Sequence, residues 1–361
     1  MIIAENFEKI IEKITDIEAR LKVLGFDVDL ESFGGCEIIF AKKKFSKKHL
    51  ILQSGLHGIE GYVGFSMIYY FVMNMLKDDF DYTFIINANP FGVKNKRRVN
   101  ENNVDLNRNF LVKEEDFAKM KDDYSLIDSV INPRKKIKSF FLSYIKTIYS
   151  ILKLVLKVGA AKFKHTLLCG QRYNSNGAYF MGDGFQKQTI FLKELYKRLF
   201  AQKGFENTVF LDLHTGYGPK YQMSIVNSSL MKNEKILTRL TKSYPLVVQS
   251  NTSSFYEMKG DLIDFIYKVY PTIHYATSFE FGTFGDSVFA GIKSIVAIVL
   301  ENQYFYNNQN GQTKRSDDLD KVGEKVLSFY ENAYFPKDKR WWKKAISDFE
   351  KGMDTIINLI K

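Results

Sequence analysis

His49-Leu50-Ile51-Leu52-Gln53-Ser54 is an apolar, strand-like run, and it stops in Gly55-Leu56-His57-Gly58-Ile59-Glu60-Gly61, a glycine-flanked loop that carries an imidazole and a carboxylate. A second such run, Val209-Phe210-Leu211-Asp212-Leu213, stops at His214-Thr215-Gly216. In open α/β sheets functional sites collect where buried strands end and loops open. His57, Glu60 and His214 together offer two imidazoles and one carboxylate, the ligand set of a catalytic zinc ion with a position left for water. Taken alone, His-x-x-Glu also fits a loop histidine beside a helix-capping glutamate. The glycines on both sides of each segment, which allow close approach to an ion or substrate, favour the metal reading. The other three of the five histidines, His49, His165 and His274, lack such surroundings and read as packing or surface residues.

Outward from these segments, strands alternate with helices. Apolar spacing predicts a helix over 5–24, strands near 26–31, 36–41 and 49–54, a buried helix over 61–77, and a strand at 82–87. A polar loop runs from 89 to 110. A mainly helical insertion follows over about 111–165; within it Lys146, Lys153 and Lys157 share one stripe of an amphipathic helix. A helix at 187–203, strands at 208–213, 221–227 and 273–281, and helices near 232–242, 286–306, 318–333 and 341–360 complete the pattern. It predicts an α/β fold with a mixed, mostly parallel central sheet flanked by helices. With 361 residues, six prolines and no Pro/Gly/Ser-rich linker, a single domain over 1–361 is expected.

Apolar residues make up 45% and charged residues 26%, enough for an ordinary core. Cys36 and Cys169 are too few for a disulfide framework and read as reduced thiols of a cytoplasmic protein. No uncharged stretch reaches the ~20 residues of a membrane span. The net charge of +11 reads first as a solvated basic surface, with scattered lysines and no nucleic acid expected. Attachment of the 136–158 helix to anionic lipid or to a partner is the minority reading.

The segment Arg97-Arg98-Val99-Asn100-Glu101-Asn102-Asn103-Val104-Asp105-Leu106-Asn107-Arg108-Asn109-Phe110 mixes guanidinium groups, amides and carboxylates in a short stretch. An arginine fork matches a carboxylate with two parallel hydrogen bonds. With His57-x-x-Glu60, Asp212-Leu213-His214-Thr215-Gly216 and Glu280 in this order, the chain resembles the zinc carboxypeptidase superfamily over about residues 50–285. The stretches around Gly55–Gly64 and Arg98–Phe110, and Gly170-Gln171 before Gly177, are most similar to a bacterial carboxypeptidase-like branch.

The resemblance implies a zinc carboxypeptidase-like fold and one zinc ion held by His57, Glu60 and His214. It implies Glu280 as general base and Arg98 as the stabiliser of the oxyanion. Asn107 and Arg108 would grip the terminal carboxylate of the substrate, Asp105 would orient the His57 imidazole, Tyr256 would close over the substrate, and Ile263 would line a side-chain pocket. Phe281-Gly282-Thr283 and Phe91 depart from the pattern of digestive members.

The implied reaction is release of a C-terminal residue from a peptide, with peptidoglycan-derived peptides as one substrate class. The alternative is an N-acyl-amino-acid amidohydrolase of the aspartoacylase or succinylglutamate desuccinylase type, whose Glu-x-Gly context is closer to Glu280-Phe281-Gly282. A third reading is a non-enzymatic basic protein that binds an anionic partner.

Overall fold

Why the two apolar runs matter becomes visible in the sheet they build. The computed structural model describes residues 3–203, 207–249, 258–311 and 319–360. The strands are β1 (Asp27–Phe33), β2 (Cys36–Lys42), β3 (Lys48–Ser54), β4 (Phe80–Ile86), β5 (Thr208–Thr215), β6 (Met223–Asn227), β7 (Val247–Gln249) and β8 (Tyr275–Phe281). They form one eight-stranded sheet in the order β1-β2-β4-β3-β5-β8-β6-β7. The four central strands, β4-β3-β5-β8, run parallel. β2 lies antiparallel to β4, and β6 antiparallel to β8. Every residue of β4 and β5 is buried, which is why these segments read as nearly unbroken apolar runs.

The helices are α1 (Phe7–Val23), α2 (Gly61–Asn74), α3 (Pro90–Lys94), α4 (Asp116–Lys119), α5 (Asp128–Ile131), α6 (Phe140–Val158), α7 (Ala160–Leu168), α8 (Lys187–Lys203), α9 (Glu234–Ser243), α10 (Leu262–Val269), α11 (Val288–Asn307), α12 (Lys321–Tyr334) and α13 (Lys339–Ile357). They cover both faces of the sheet. On one face Gly64 of α2 sits on Ser54 and Leu213, and Gly352 of α13 on Met223 and Phe279. On the other, Tyr196 of α8 packs on Phe210 and donates to Gln53. Alternation along each strand thus sends Ser54, Leu213 and Phe279 to the first face, and Gln53, Asp212, His214 and Glu280 to the second.

The alternation of strands and helices follows the sequence reading closely, apart from β7 and α10, which fall where it gave no element, and three further differences. The helix at 61 ends at Asn74 rather than near 77. The 89–110 loop contains the short helix α3, begun by an Asn89 cap and Pro90. The first part of the 111–165 insertion is mostly irregular, and its long helices, α6 and α7, start only at Phe140. Helix α11 is long and apolar enough to cross a membrane, and 56% of its apolar window is buried within the protein.

The chain leaves β3 for β4 on one side and returns to β5 on the other, so β3 and β5 form the point where strand order reverses. A crevice opens at the carboxyl ends of strands at such a point. The loop after β3 lies flat against α3: a Cβ on Gly58 would come within 2.0 Å of the Gly92 carbonyl carbon. Gly58→Ala should therefore cost about 2 kcal/mol or more by chemical denaturation. A substitution without effect on stability would show that the loop does not need this seat.

Candidate metal centre

Three side chains reach one point above the β3–β5 edge. His57 and Glu60 lie in the loop and the single 3₁₀ turn after β3, and His214 lies near the end of β5. Candidate ligand atoms of all three fall within 4.8 Å of one another, and all three residues are buried. His57 Nδ1 is 3.0 Å from Glu60 Oε1, His214 Nδ1 is 3.0 Å from Glu60 Oε2, and the two Nδ1 atoms are 3.2 Å apart. These separations are close to the roughly 3.3 Å edge of a tetrahedron with ~2.0 Å ligand bonds.

The outward nitrogens are held by carboxylates. His214 Nε2 sits 2.7 Å from Asp212 Oδ2, and His57 Nε2 3.2 Å from Asp105 Oδ1. At His214 a carboxylate that accepts the Nε2 proton leaves the lone pair on Nδ1, facing inward, as a metal-binding imidazole requires; at His57 both the Asp105 carboxylate and the Arg98 guanidinium lie against Nε2. The donor set therefore fits a divalent cation. Asp212 is itself steadied by Gln53, whose Nε2 donates to Oδ1 at 3.2 Å.

Electrostatics follow from this crowding. Burial works against the ionised form of Glu60, but the His57 and His214 imidazoles outweigh it and hold the carboxyl below its usual range. Burial also opposes charge on His214, and Asp212 and Glu60 together raise its proton affinity well above that of a free imidazole. Asp105, buried beside Arg98 and His57, stays well below the ordinary carboxylate range because those two neighbours overcome the burial penalty. Glu280 goes the other way: burial, reinforced by the Glu60 charge, raises its carboxyl above the usual range against the pull of His214 and Arg98. Glu280 is the direct neighbour of His214 across the β5–β8 ladder, and its Oε2 is buried without a hydrogen bond among the described residues.

Arg98 closes the opposite side. Its Nε donates to Asp105 Oδ2 at 2.9 Å, its Nη1 reaches Glu60 Oε1 at 3.3 Å, and its Nη2 lies 2.7 Å from His57 Nε2. Arg108 is buried and donates to the carbonyls of Leu168 (2.9 Å) and Asn107 (2.8 Å). Gly260, at φ +68°, presses on it so closely that a Cβ would meet the Arg108 carbonyl oxygen at 2.1 Å. The Asn107 amide is engaged at both ends, giving to Asp261 Oδ2 at 3.1 Å and taking from Leu262 N at 2.9 Å. In this structure it fixes the start of α10. Ile263 is buried in the core cluster of the sheet. Tyr256 lies outside the described residues.

Two participants were not singled out from sequence. Asp212 orients His214, and an i, i+2 pair on one strand face was the available signal. Tyr179 stands between the two arginines, with its ring centroid 5.4 Å from the Arg98 guanidinium and 5.8 Å from that of Arg108. It adopts φ +60°, a conformation that no local sequence pattern announces for a tyrosine. Arg97, in contrast, is structural: it pairs with Glu301 at 2.8 Å and stacks on Phe305.

Compared with known proteins, residues 35–348 match the family described as "Protein of unknown function (DUF2817)". Similar solved structures include bovine thrombin-activatable fibrinolysis inhibitor in complex with tick carboxypeptidase inhibitor (16% identity, 90% of this chain and 95% of that one, TM-score 0.45). Others are the murein-tripeptide amidase MpaA from Escherichia coli O157 (16%, 77% and 92%, TM-score 0.38) and a succinylglutamate desuccinylase/aspartoacylase from Rhodobacter sphaeroides (12%, 79% and 64%, TM-score 0.34). No curated protein matches the chain.

If Asp212 fixes the His214 tautomer, Asp212→Asn should weaken divalent metal binding by about 10–100-fold with the fold intact. Equilibrium dialysis against zinc measures this, and unchanged affinity would remove Asp212 from the site.

Proposed function

The chain belongs to the family described as protein of unknown function DUF2817, and we propose that it is a zinc-dependent hydrolase that cleaves an amide bond next to a free carboxylate. One observation carries the reading. Two imidazoles turn their Nδ1 atoms toward Glu60 with carboxylates behind them, and on the adjoining strand stands a carboxylate, Glu280, whose buried Oε2 has no hydrogen-bond partner among the described residues. A structural metal site has no use for the last of these.

His57, Glu60 and His214 would hold the ion. When bound, zinc supplies Lewis acidity, polarising a carbonyl and making water acidic near pH ~7. Glu280 accepts a proton from the attacking water at Oε2, an oxygen not engaged elsewhere, and returns it to the leaving amine. Its place beside His214 on the neighbouring strand suits a general base. Arg98, anchored by Asp105, stabilises the negative charge that develops on the carbonyl oxygen. Arg108 receives the substrate carboxylate. Asn107 positions the α10 start that presses Gly260 against Arg108. Tyr256 remains part of the proposal as a residue that closes over the substrate.

Carboxypeptidase chemistry on a peptide is the first form of this reading. The second, hydrolysis of N-acyl amino acids, is favoured by Glu280-Phe281-Gly282, where Gly282 is held by packing: its Cβ would meet Pro219 O at 1.9 Å. For either form we place the protein in the cytoplasm, a reading that rests on the chain's two cysteines, Cys36 and Cys169, being too few for a disulfide framework.

Glu280→Gln should retain stoichiometric zinc while hydrolysis falls by about 10²–10⁴-fold; activity close to wild type would remove Glu280 as the base. Arg108→Ala should raise KM roughly tenfold to a hundredfold on substrates with a free carboxylate. The same loss on C-terminally amidated substrates would contradict its anchoring role. Blocked dipeptides, peptidoglycan tripeptides and acyl-amino acids, assayed side by side, separate the two forms.

A further inference from the structure

The charge of this protein is concentrated in one place. Residues 129–182 contain ten Lys and Arg and no Asp or Glu, so this segment accounts for +10 of the net +11 and the remainder is nearly neutral. Its central element is α6. One side of that helix, with Thr147, Ile151 and Leu154, is buried, and Ile151 and Leu154 join a cluster that includes Ile59 of the site loop and Phe163 of α7. The opposite side is apolar and exposed. Phe141 (66%), Leu142 (68%), Ile145 (48%), Tyr149 (64%), Leu152 (44%) and Leu156 (88%) keep these fractions of their surface in water.

At ~100° per residue these six side chains fill one contiguous sector about 100° wide. Lys146, Lys153 and Lys157 follow directly along its edge. Lys135, Lys136 and Lys138 precede the helix and are also exposed. None of these six lysines forms an ion pair among the described residues, whereas Arg134, Lys162 and Arg172 of the same segment do.

We propose that the outer face of α6 docks the protein on an anionic lipid surface. The apolar sector enters the boundary between headgroups and acyl chains, and the lysine row meets anionic headgroups. This arrangement suits a helix that lies in the interface plane rather than one that spans. Charge complementarity favours this occupant over a second copy of the chain. Helix α6 carries no carboxylate, so symmetric pairing of two such faces would bring lysines together without a counter-charge. An uncharged apolar partner would leave the lysine row without a role. The inference is independent of the reaction proposed for the metal centre.

Flotation of the full chain with vesicles tests it. Vesicles of phosphatidylcholine with about 30% phosphatidylglycerol should bind at least about tenfold more protein than phosphatidylcholine alone, and ~500 mM salt should reverse most of the difference. The triple variants I145S/L152S/L156S and K146Q/K153Q/K157Q should each lose about tenfold or more in binding, with unchanged circular dichroism and zinc content. If a variant fails to fold, the lipid and salt dependence of the wild-type protein still decides. Equal binding to both vesicle types, binding to neither, or a wild-type dimer that I145S/L152S/L156S converts to monomer would overturn the proposal.

Discussion

Four carboxylates, Glu60, Asp105, Asp212 and Glu280, crowd around two imidazoles and one guanidinium at the carboxyl edge of a buried sheet. Burying that much negative charge is costly unless positive charge enters with it. Arg98 offsets part of it. The rest is met by protons on the imidazoles or by a cation between them, and either solution draws His57 and His214 toward Glu60. Much of the surrounding geometry serves this requirement. Thr215 N donates to Glu60 Oε2 at 2.9 Å, and Gln53 of β3, itself held by Tyr196 of α8, braces Asp212.

The sheet makes the convergence possible. His57 and His214 are far apart in sequence, but β3 and β5 are direct neighbours and end together. β8 then places Glu280 beside His214 without help from a loop. Loops do the finer work. The turn at Gly58 rests on Gly92, and Gly260 seats the 258–261 segment on Arg108. Each contact is too close for any side chain larger than hydrogen, so these two glycines are requirements of assembly rather than of flexibility.

What the sequence could reveal depended on how local each signal was. Strand-like runs that end in His57 and His214 announced the central sheet and pointed to side chains that the structure brings together, because burial on two faces leaves a continuous apolar signature. Asp105 belonged to a motif with a recognisable order. Asp212 stood in plain view beside His214, yet its contact is a matter of strand alternation and was not drawn out. Tyr179 was illegible, since its place between two arginines depends on a backbone conformation and on segments far away. For Asn107 the structure shows a use, holding Leu262 and Asp261, that a residue-by-residue comparison with a family cannot anticipate. The stripe of Lys146, Lys153 and Lys157 was legible from helical spacing; what only the structure shows is that the apolar sector beside it faces outward while Thr147, Ile151 and Leu154 pack inward.

The proposed ligands and the proposed reaction rest on a cation shared by His57, Glu60 and His214. X-ray absorption at the zinc edge, on protein purified without chelator and brought to one equivalent of metal, reads that shell directly. Two imidazole nitrogens and carboxylate oxygen at about 2.0–2.1 Å, with no sulfur, is the expected result. A sulfur-containing shell, or a protein that retains no zinc under these conditions, would contradict it.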